Sequence, residues 1–401
     1  MEEWKTYKIG EICESVSDTY RGKALDVVLV NTSDVYDGVC LNHTFVPNKN
    51  LKGQFKKTFK RNDILYSEIR PANRRFAFID FEPENYIAST KLMVIRCSEL
   101  VRPRYLYHYL KRQEMLDELQ ALAESRSGTF PQITFSELAL FEINLPNLAT
   151  QDKIVAAIDC FDDKIALNNR INHNLEEQAQ ALYKSWFVDF EPFKDGRFVE
   201  SELGLIPEGW CVTSVESLSS RIASGGTPKS LDPSFYAGEI KWFTTKELKD
   251  CFLFDSEKHI SDAAVQNSAA KFFPEGSVLM AIYASPTVGR LGILTESSTF
   301  NQAAVAIIPE DNIGTEYIYL TLLSERDNLN NLASGAAQQN LNVGIVKNYR
   351  VLRPTDDIIK SFKVKMAPFF SAIRKNTKEI NDLSELRDIL IPRLISDQLS
   401  F

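Results

Sequence analysis

Two acid-x-lysine triplets, Asp162-Asp163-Lys164 and Glu239-Ile240-Lys241, carry the residue types that metal-dependent nucleases use. A chain with 46 basic and 54 acidic residues among 401 produces such triplets by chance, and the first falls in a segment with helical periodicity. The remaining signatures of catalysis are missing from the sequence. It has no Gly-x-x-x-x-Gly-Lys-Ser/Thr loop to cradle phosphates and no Gly-x-Gly-x-x-Gly turn for a dinucleotide. A Gly-x-Ser-x-Gly elbow is absent as well. The four histidines (43, 108, 173, 259) lack a metal-binding spacing, so no metal site is expected; His108 is expected to pack in a local helix and His173 to be solvated. The six cysteines are scattered without a Cys-x-x-Cys pair, as reduced thiols of a cytoplasmic protein would be. The residues point to binding, not catalysis.

The strongest candidate binding chemistry is basic. Residues 49–75 hold Lys49, Lys52, Lys56, Lys57, Lys60, Arg61, Arg70, Arg74 and Arg75 against Asp63 and Glu68 alone, a local excess of +7 within a chain of net charge −8. The overall balance argues against a general nucleic-acid binder, and such a run is often only a solvated face. Residues 1–150 are balanced, with 20 basic and 20 acidic side chains, so the rest of the chain carries the whole negative excess. At 44% hydrophobic and 25% charged, the composition is that of a folded globular protein of two or three domains. The most apolar stretch, 278–294, is broken by Ser285, Pro286, Thr287 and Arg290 and is a poor membrane span. The acidic start, Met1-Glu2-Glu3-Trp4-Lys5, is unlike a secretory signal.

The elements that must position these residues come as a degenerate internal repeat. Val30-Asn31-Thr32-Ser33-Asp34-Val35 aligns with Phe243-Thr244-Thr245-Lys246-Glu247-Leu248. Further pairs are Ile87-Ala88-Ser89-Thr90 with Phe300-Asn301-Gln302-Ala303, Tyr105-Leu106-Tyr107 with Tyr317-Ile318-Tyr319, and Leu145-Pro146 with Arg353-Pro354. Trp4 with Trp210, Asp63-Ile64-Leu65 with Ser277-Val278-Leu279, and Ser127-Gly128 with Ser334-Gly335 complete seven matches in chain order, at offsets between 206 and 214. Two copies of about 150 residues are too few and too large for a solenoid and imply a duplicated globular module. Apolar runs at 26–35, 87–97, 277–283 and 303–309 predict strands, and 103–123 with 315–332 predict short helices.

Each module is followed by a seam with steps of four and three. The first runs through Ile154, Ile158, Phe161, Ile165, Asn168, Asn172, Leu175, Ala179, Leu182 and Trp186. The second runs through Ile359, Phe362, Met366, Phe369, Ile373, Asn376, Ile380, Leu383, Arg387, Leu390 and Leu394. This period of 3.5 predicts two long helices of about 33 residues, roughly 50 Å each, pairing antiparallel as a coiled coil. The asparagines are candidates to set register, and Pro368 predicts a kink or a late start. The expected division is a module over 1–150, a helix over 151–189, a linker over 190–209, a module over 210–355 and a helix over 356–401. The expected fold class is α+β: two tandem mixed α/β modules separated by two long antiparallel coiled-coil helices, a dumbbell with pseudo-two-fold symmetry.

That order resembles the specificity subunit of type I restriction-modification systems. Ser224-Gly225-Gly226-Thr227-Pro228 with Ile240-Lys241-Trp242-Phe243-Thr244-Thr245 resembles the opening of a target-recognition domain in that family, and Gly204-Leu205-Ile206-Pro207-Glu208-Gly209-Trp210 resembles its entry. Asn174-Leu175-Glu176 through Trp186-Phe187-Val188-Asp189-Phe190 and Leu386-Arg387-Asp388-Ile389-Leu390-Ile391-Pro392-Arg393-Leu394 resemble the ends of its two conserved helices. The first module departs from the pattern, with Ser17-Asp18-Thr19-Tyr20-Arg21-Gly22-Lys23 where the second has its Gly-Gly-Thr-Pro turn.

The resemblance implies a non-catalytic, cytoplasmic subunit whose modules each read half of a split, asymmetric site on double-stranded DNA. It implies partners: two methyltransferase subunits docked on the paired helices, and motor-nuclease subunits. The chain itself would bind no cofactor; S-adenosylmethionine, ATP and magnesium would belong to the partners. Arginine reads guanine bidentately and asparagine reads adenine, so Arg70, Asn73, Arg74 and Arg75 around Pro71 are the first module's candidates, with Lys91 beside Ser89 and Thr90. The second module's candidates are Thr227, Lys229, Thr244, Thr245, Lys246, Tyr283, Ser285, Thr287, Arg290, Gln338 and Gln339. Gly225 and Gly226 are expected to supply positive φ, and the repeat-related tyrosines are expected in the core. Helix pairing is expected through Ile158, Phe161, Ile165, Asn168, Leu175 and Leu182 against Phe369, Ile373, Asn376, Ile380, Leu383 and Leu390. Two other readings remain open on residues alone: a nuclease with an unrecognised site, and a coiled-coil adaptor with protein-binding ends.

Overall fold

The computed structural model describes residues 4–49, 53–125, 131–228, 232–283, 286–333 and 340–395. The chain forms two compact units, Met1–Ile165 with Asp382–Phe401, and Ala166–Asn381.

In the first unit, a four-stranded antiparallel sheet runs in the order Cys13–Val16, Leu92–Cys97, Ile64–Ser67, Phe76–Phe78. Strand side chains alternate between faces, and here both faces are buried. Ile64, Tyr66, Met93 and Ile95 enter one core with the helices Pro103–Leu110 and Gln113–Glu124. Leu65, Leu92 and Val94 enter another with Val28 and Val30 of a second sheet. That second sheet, ordered Phe45–Pro47, Asp26–Val30, Tyr86–Ser89, Phe55–Lys57, contains one parallel pair, Asp26–Val30 with Tyr86–Ser89. Lys5–Lys8 pairs with Glu142–Leu145, bringing the start of the module to the foot of its long helix.

The second unit repeats this plan. Its main sheet is ordered Ser219–Ser224, Ala304–Pro309, Val278–Ala281, Leu291–Leu294, with Cys251–Leu253 added at the edge. Val278, Met280, Val305 and Ile307 face one core, and Leu279, Ala281, Ala304 and Ala306 the other. Ile240–Phe243 lies parallel to Thr299–Phe300, as Asp26–Val30 does to Tyr86–Ser89. Cys211–Ser214 pairs with Arg350–Arg353. Tyr105, Tyr107, Tyr317 and Tyr319 are all buried, as expected of repeat-related core residues.

The long helices span Leu148–Phe187 and Asp356–Ile395, 40 residues each, about 60 Å at 1.5 Å per residue and longer than the seams predicted. They pack together and antiparallel within each unit. In the first, Ile154 and Ile158 share a core with Ile391, Leu394 and Ile395, Leu390 packs at its edge, and Arg387 bonds Asp162. In the second, Asn168 faces Glu379 and Asn172 faces Thr377. Phe161, Ile165, Leu175, Leu182, Phe369, Asn376, Ile380 and Leu383 are half-buried, and Ile373 is buried.

Two expectations are corrected, and the linker gains definition. The second helix does not start late: it runs without interruption from Asp356 through Pro368, which sits on the exposed face while Phe362, Met366 and Phe370 hold the opposite face in the core. At the end of the first helix Ala179 of the expected seam is buried, but Tyr183 and Phe187 are buried beyond it while Leu182 and Trp186 only pack at the edge, because the helix there meets the module's core and not a lone partner helix. The 190–209 linker is structured: Phe198–Ser201 and Gly204–Pro207 form a hairpin, and Ile206, Phe190 and Phe193 pack around Trp210.

Candidate nucleic-acid interface

In the first module the Pro71–Asn73 turn is bracketed by two residues with positive φ, Arg70 (48°) and Arg74 (54°). Non-glycine residues adopt this conformation at a cost that the surroundings must over-determine. Here the Arg70 amide donates to the Pro131 carbonyl at 3.1 Å, and the Ala72 amide to Gln120 Oε1 at 3.1 Å. Arg74 donates to Asp37 Oδ1 through Nε at 3.0 Å and Nη2 at 2.8 Å, so its guanidinium is committed to a carboxylate inside the module. Arg75 rests over the Tyr36 ring at 5.5 Å and donates to the Ser33 carbonyl at 3.1 Å, while Asn73 is exposed at the tip.

Lys91 lies beside this turn. It donates to Gln132 Oε1 at 3.2 Å and faces Glu68 Oε2 at 3.6 Å, and Ile69 forms a bridge with Gln132. Ser89 is buried and Thr90 half-buried. The first module thus gathers Arg70, Asn73, Lys91 and Gln132. Gln132 was legible only through its place in the repeat, and Glu68 carried no signal beyond being one of two acids in the basic run.

In the second module, the ends of the parallel strands Ile240–Phe243 and Thr299–Phe300 place Thr244 near Asn301, whose amide donates to the Phe243 carbonyl at 2.9 Å. Gly225 and Gly226 run alongside. Neither has positive φ, contrary to expectation. They are required by close backbone approach: a Cβ on Gly226 would stand 2.0 Å from the Ala269 carbonyl oxygen, and one on Gly225 2.2 Å from that of Phe300. The Trp242 indole N–H donates to the Gly226 carbonyl at 2.9 Å and fixes the turn. Thr227 therefore reaches Gln302 and hydrogen-bonds its Oε1. Gln302 is exposed, and its only sequence signal is its place in the repeat.

Tyr283 is 39% exposed and its amide donates to the Ala303 carbonyl at 3.4 Å. Thr287 caps that turn by donating to the Tyr283 carbonyl at 3.3 Å, Arg290 is half-buried, and Lys246 is exposed. Thr245, expected at the surface, is buried, because it follows the strand into the core while Thr244 bonds Glu247. Lys229, Ser285, Gln338 and Gln339 lie outside the described residues, as does Lys52 of the basic run.

The acid-x-lysine triplets do not converge. Lys241 pairs with Glu296 and not with its neighbour Glu239. Asp162 belongs to a charged network in which His108, Asp159 and Asp162 bring their ligand atoms within 4.8 Å of one another. The carboxylates are already spent on cations: Asp159 on Arg104 at 3.0 Å, and Asp162 on Lys111 and Arg387 at 2.8 Å each. Burial holds His108 down to about 4, so its neutral ring donates from Nε2 to Asp159 Oδ1 at 2.8 Å. Burial raises both carboxylates, but the bonds and charges of His108, Arg104, Lys111 and Arg387 outweigh it and hold them below the usual range. The network clamps the helix Pro103–Leu110 onto the first long helix.

Among the described residues, no helix is long and apolar enough to cross a membrane. The sequence model of the family described as type I restriction modification DNA specificity domain matches residues 1–177 and 207–386. The chain is 33% identical to the HindI specificity subunit of Haemophilus influenzae, a type I restriction enzyme, with 100% of both chains covered. It is 29% identical to the MjaIX specificity subunit of Methanocaldococcus jannaschii over 74% of this chain and 68% of that one. In fold it is similar to the type I restriction-modification S subunit from M. genitalium, with a TM-score of 0.55, 14% identity, and 98% and 96% of the two chains covered. With two modules of one sheet order, two long helices and full-length likeness to a specificity subunit, the chain belongs to the type I restriction-modification DNA specificity family.

Proposed function

We propose that this specificity subunit recognises a bipartite, asymmetric site on double-stranded DNA, each module reading one half. The observation that carries this reading is the duplication itself: one sheet order built twice, with Arg70, Asn73, Lys91 and Gln132 exposed or half-exposed on one copy and Thr227, Gln302, Tyr283 and Lys246 on the other. A shared scaffold with different polar groups suits two different half-sites. Phosphate contacts place a module, and amide, hydroxyl and guanidinium contacts to base edges select sequence. The long helices set the distance between half-sites and dock two methyltransferase subunits, with motor-nuclease subunits joining that assembly. Catalysis, S-adenosylmethionine, ATP and magnesium belong to those partners, and the complex works in the cytoplasm.

The experiment is a binding selection on randomised duplexes, with and without the methyltransferase partner. The expected result is weak binding by the chain alone and selection of a split motif by the complex. Tight binding by the isolated chain to one short continuous sequence at physiological salt would overturn the reading. Inserting one heptad into both long helices is expected to change the tolerated gap between half-sites; an unchanged gap would show that the helices are not the ruler.

A further inference from the structure

The two units differ where the short helix after the main sheet meets the long helices. In the first unit this space is filled by charge, with Lys111 and Arg387 both bonded to Asp162 and His108 alongside. The duplication sets Lys111 against Leu323, His108 against Leu320, Asp162 against Phe370 and Arg387 against Ala179. Apolar and small residues replace these four. The result in the second unit is a cavity of about 430 Å³, in the size range of small-ligand sites.

Its walls include Phe252, Tyr319 and Phe370, with the Phe370 ring edge-on to the other two at centroid distances of 6.3 and 5.8 Å. One carboxylate of the lining is already neutralised: Asp250 takes both guanidinium arms of Arg326. The other, Glu176, is half-buried, and among the described residues no cation forms an ion pair with it. His173, one turn back, is exposed and faces Glu177. Lys249 also lines the cavity and is exposed to solvent. Burial raises the Glu176 carboxyl above its ordinary value and the Asp250 charge adds to the rise, while the charge of His173 offsets it only in part.

We propose that this cavity is a binding site for an alkylammonium or guanidinium group carried on an apolar stem. The cationic head pairs with Glu176, and the aromatic and apolar walls cover the methylenes of the stem. In the first unit Lys111 and Arg387 supply cations to Asp162 from within the chain; here the cation for Glu176 comes from outside. The group comes either from a free organic amine or from a lysine or arginine side chain of the methyltransferase partner; the second source rests on the functional reading above.

The test uses the full-length chain, with calorimetric titration by 1,4-diaminobutane and by butylguanidinium, and separately by the methyltransferase partner. The variants are Glu176→Gln, Leu323→Trp to fill the cavity, and Glu177→Gln as a control on the exposed face. Amine binding that weakens at least tenfold in E176Q and L323W, but not in E177Q, establishes the site with a free ligand. If the amines do not bind, at least tenfold weaker association with the partner in E176Q and L323W, with E177Q unchanged, establishes the side-chain source. Absence of both effects overturns the proposal. E176Q loses an unpaired carboxylate and is expected to melt no lower than the parent, so loss of binding in it is not loss of fold. The amine titration needs no partner or DNA, so failure of the split-site reading would leave it standing.

Discussion

Asn376 donates from Nδ2 to Asn172 Oδ1 at 3.0 Å, joining the two long helices, while Asn172 donates in turn to Thr377 Oγ1 at 3.2 Å. A buried amide satisfied from across the pair favours one register, because any slip leaves it facing apolar or unpartnered groups. Asn172 is 8% exposed and Asn168 1%. The middle of the helix pair is therefore held by polar contacts as much as by leucines.

Replacing Asn172 by Ala strands the Asn376 amide and is expected to cost about 1–3 kcal/mol. Replacing both Asn172 and Asn376 by Leu is expected to recover that stability while loosening register. Urea titrations of the three chains check this. Equal stability of the single Ala variant and the parent would mean the amide pair contributes nothing.

His108 predicts a pH dependence. Its folded value is about 4 against an ordinary 6.5, chiefly through burial. The folded state therefore holds the ring neutral, and the unfolded chain takes up the extra proton as pH falls. The stability is fully present above about pH 6.5 and is lost as pH drops toward 4, on the order of 3 kcal/mol in all. Thermal unfolding across that window is expected to show the slope in the parent and to lack it in His108→Gln. A slope that survives the substitution would assign it to another group.

Gly226→Ala is expected to damage the second module severely, because the new Cβ meets backbone at 2.0 Å and not a movable side chain. In the assembled complex, selection of the second half-site is expected to disappear while the first is retained. Retained selection of both halves would show that the Ala269 backbone yields easily.

Arg74 and Arg75 are predicted to behave differently although they are neighbours. Arg74 is an internal ion-pair partner of Asp37, so Arg74→Ala is expected to lower the stability of the first module by about 1 kcal/mol. Arg75 makes one hydrogen bond to a carbonyl and lies over an exposed ring, so Arg75→Ala is expected to leave stability unchanged and to weaken first-half-site binding about tenfold. Duplex binding by the complex and melting of the free chain separate the two. Identical behaviour in both assays would remove the distinction.

Much of the fold was legible because its signals are local in the chain. The apolar runs within 87–97 and 277–283 are continuous, the four-three spacing from Ile154 to Trp186 and from Ile359 to Leu394 repeats within a few residues, and the duplication only compares one such stretch with another. The candidate reading residues were legible as types but not as neighbours. Arg74 looks as available as Arg75 until Asp37 is folded against it. Gly225 and Gly226 look like a turn until the Ala269 and Phe300 carbonyls close on them.

Repetition, the mixed helix-and-strand character of each module and the pairing of the long helices were thus set out by the amino-acid order alone. Tertiary structure alone decided which charges are consumed inside the protein, which glycines are pressed by backbone, and where one unit keeps a cavity that the other fills. Those outcomes depend on groups such as Asp162 and Arg387, 225 positions apart, meeting at 2.8 Å. Periodicity carries no information about side chains that only folding brings within reach of one another.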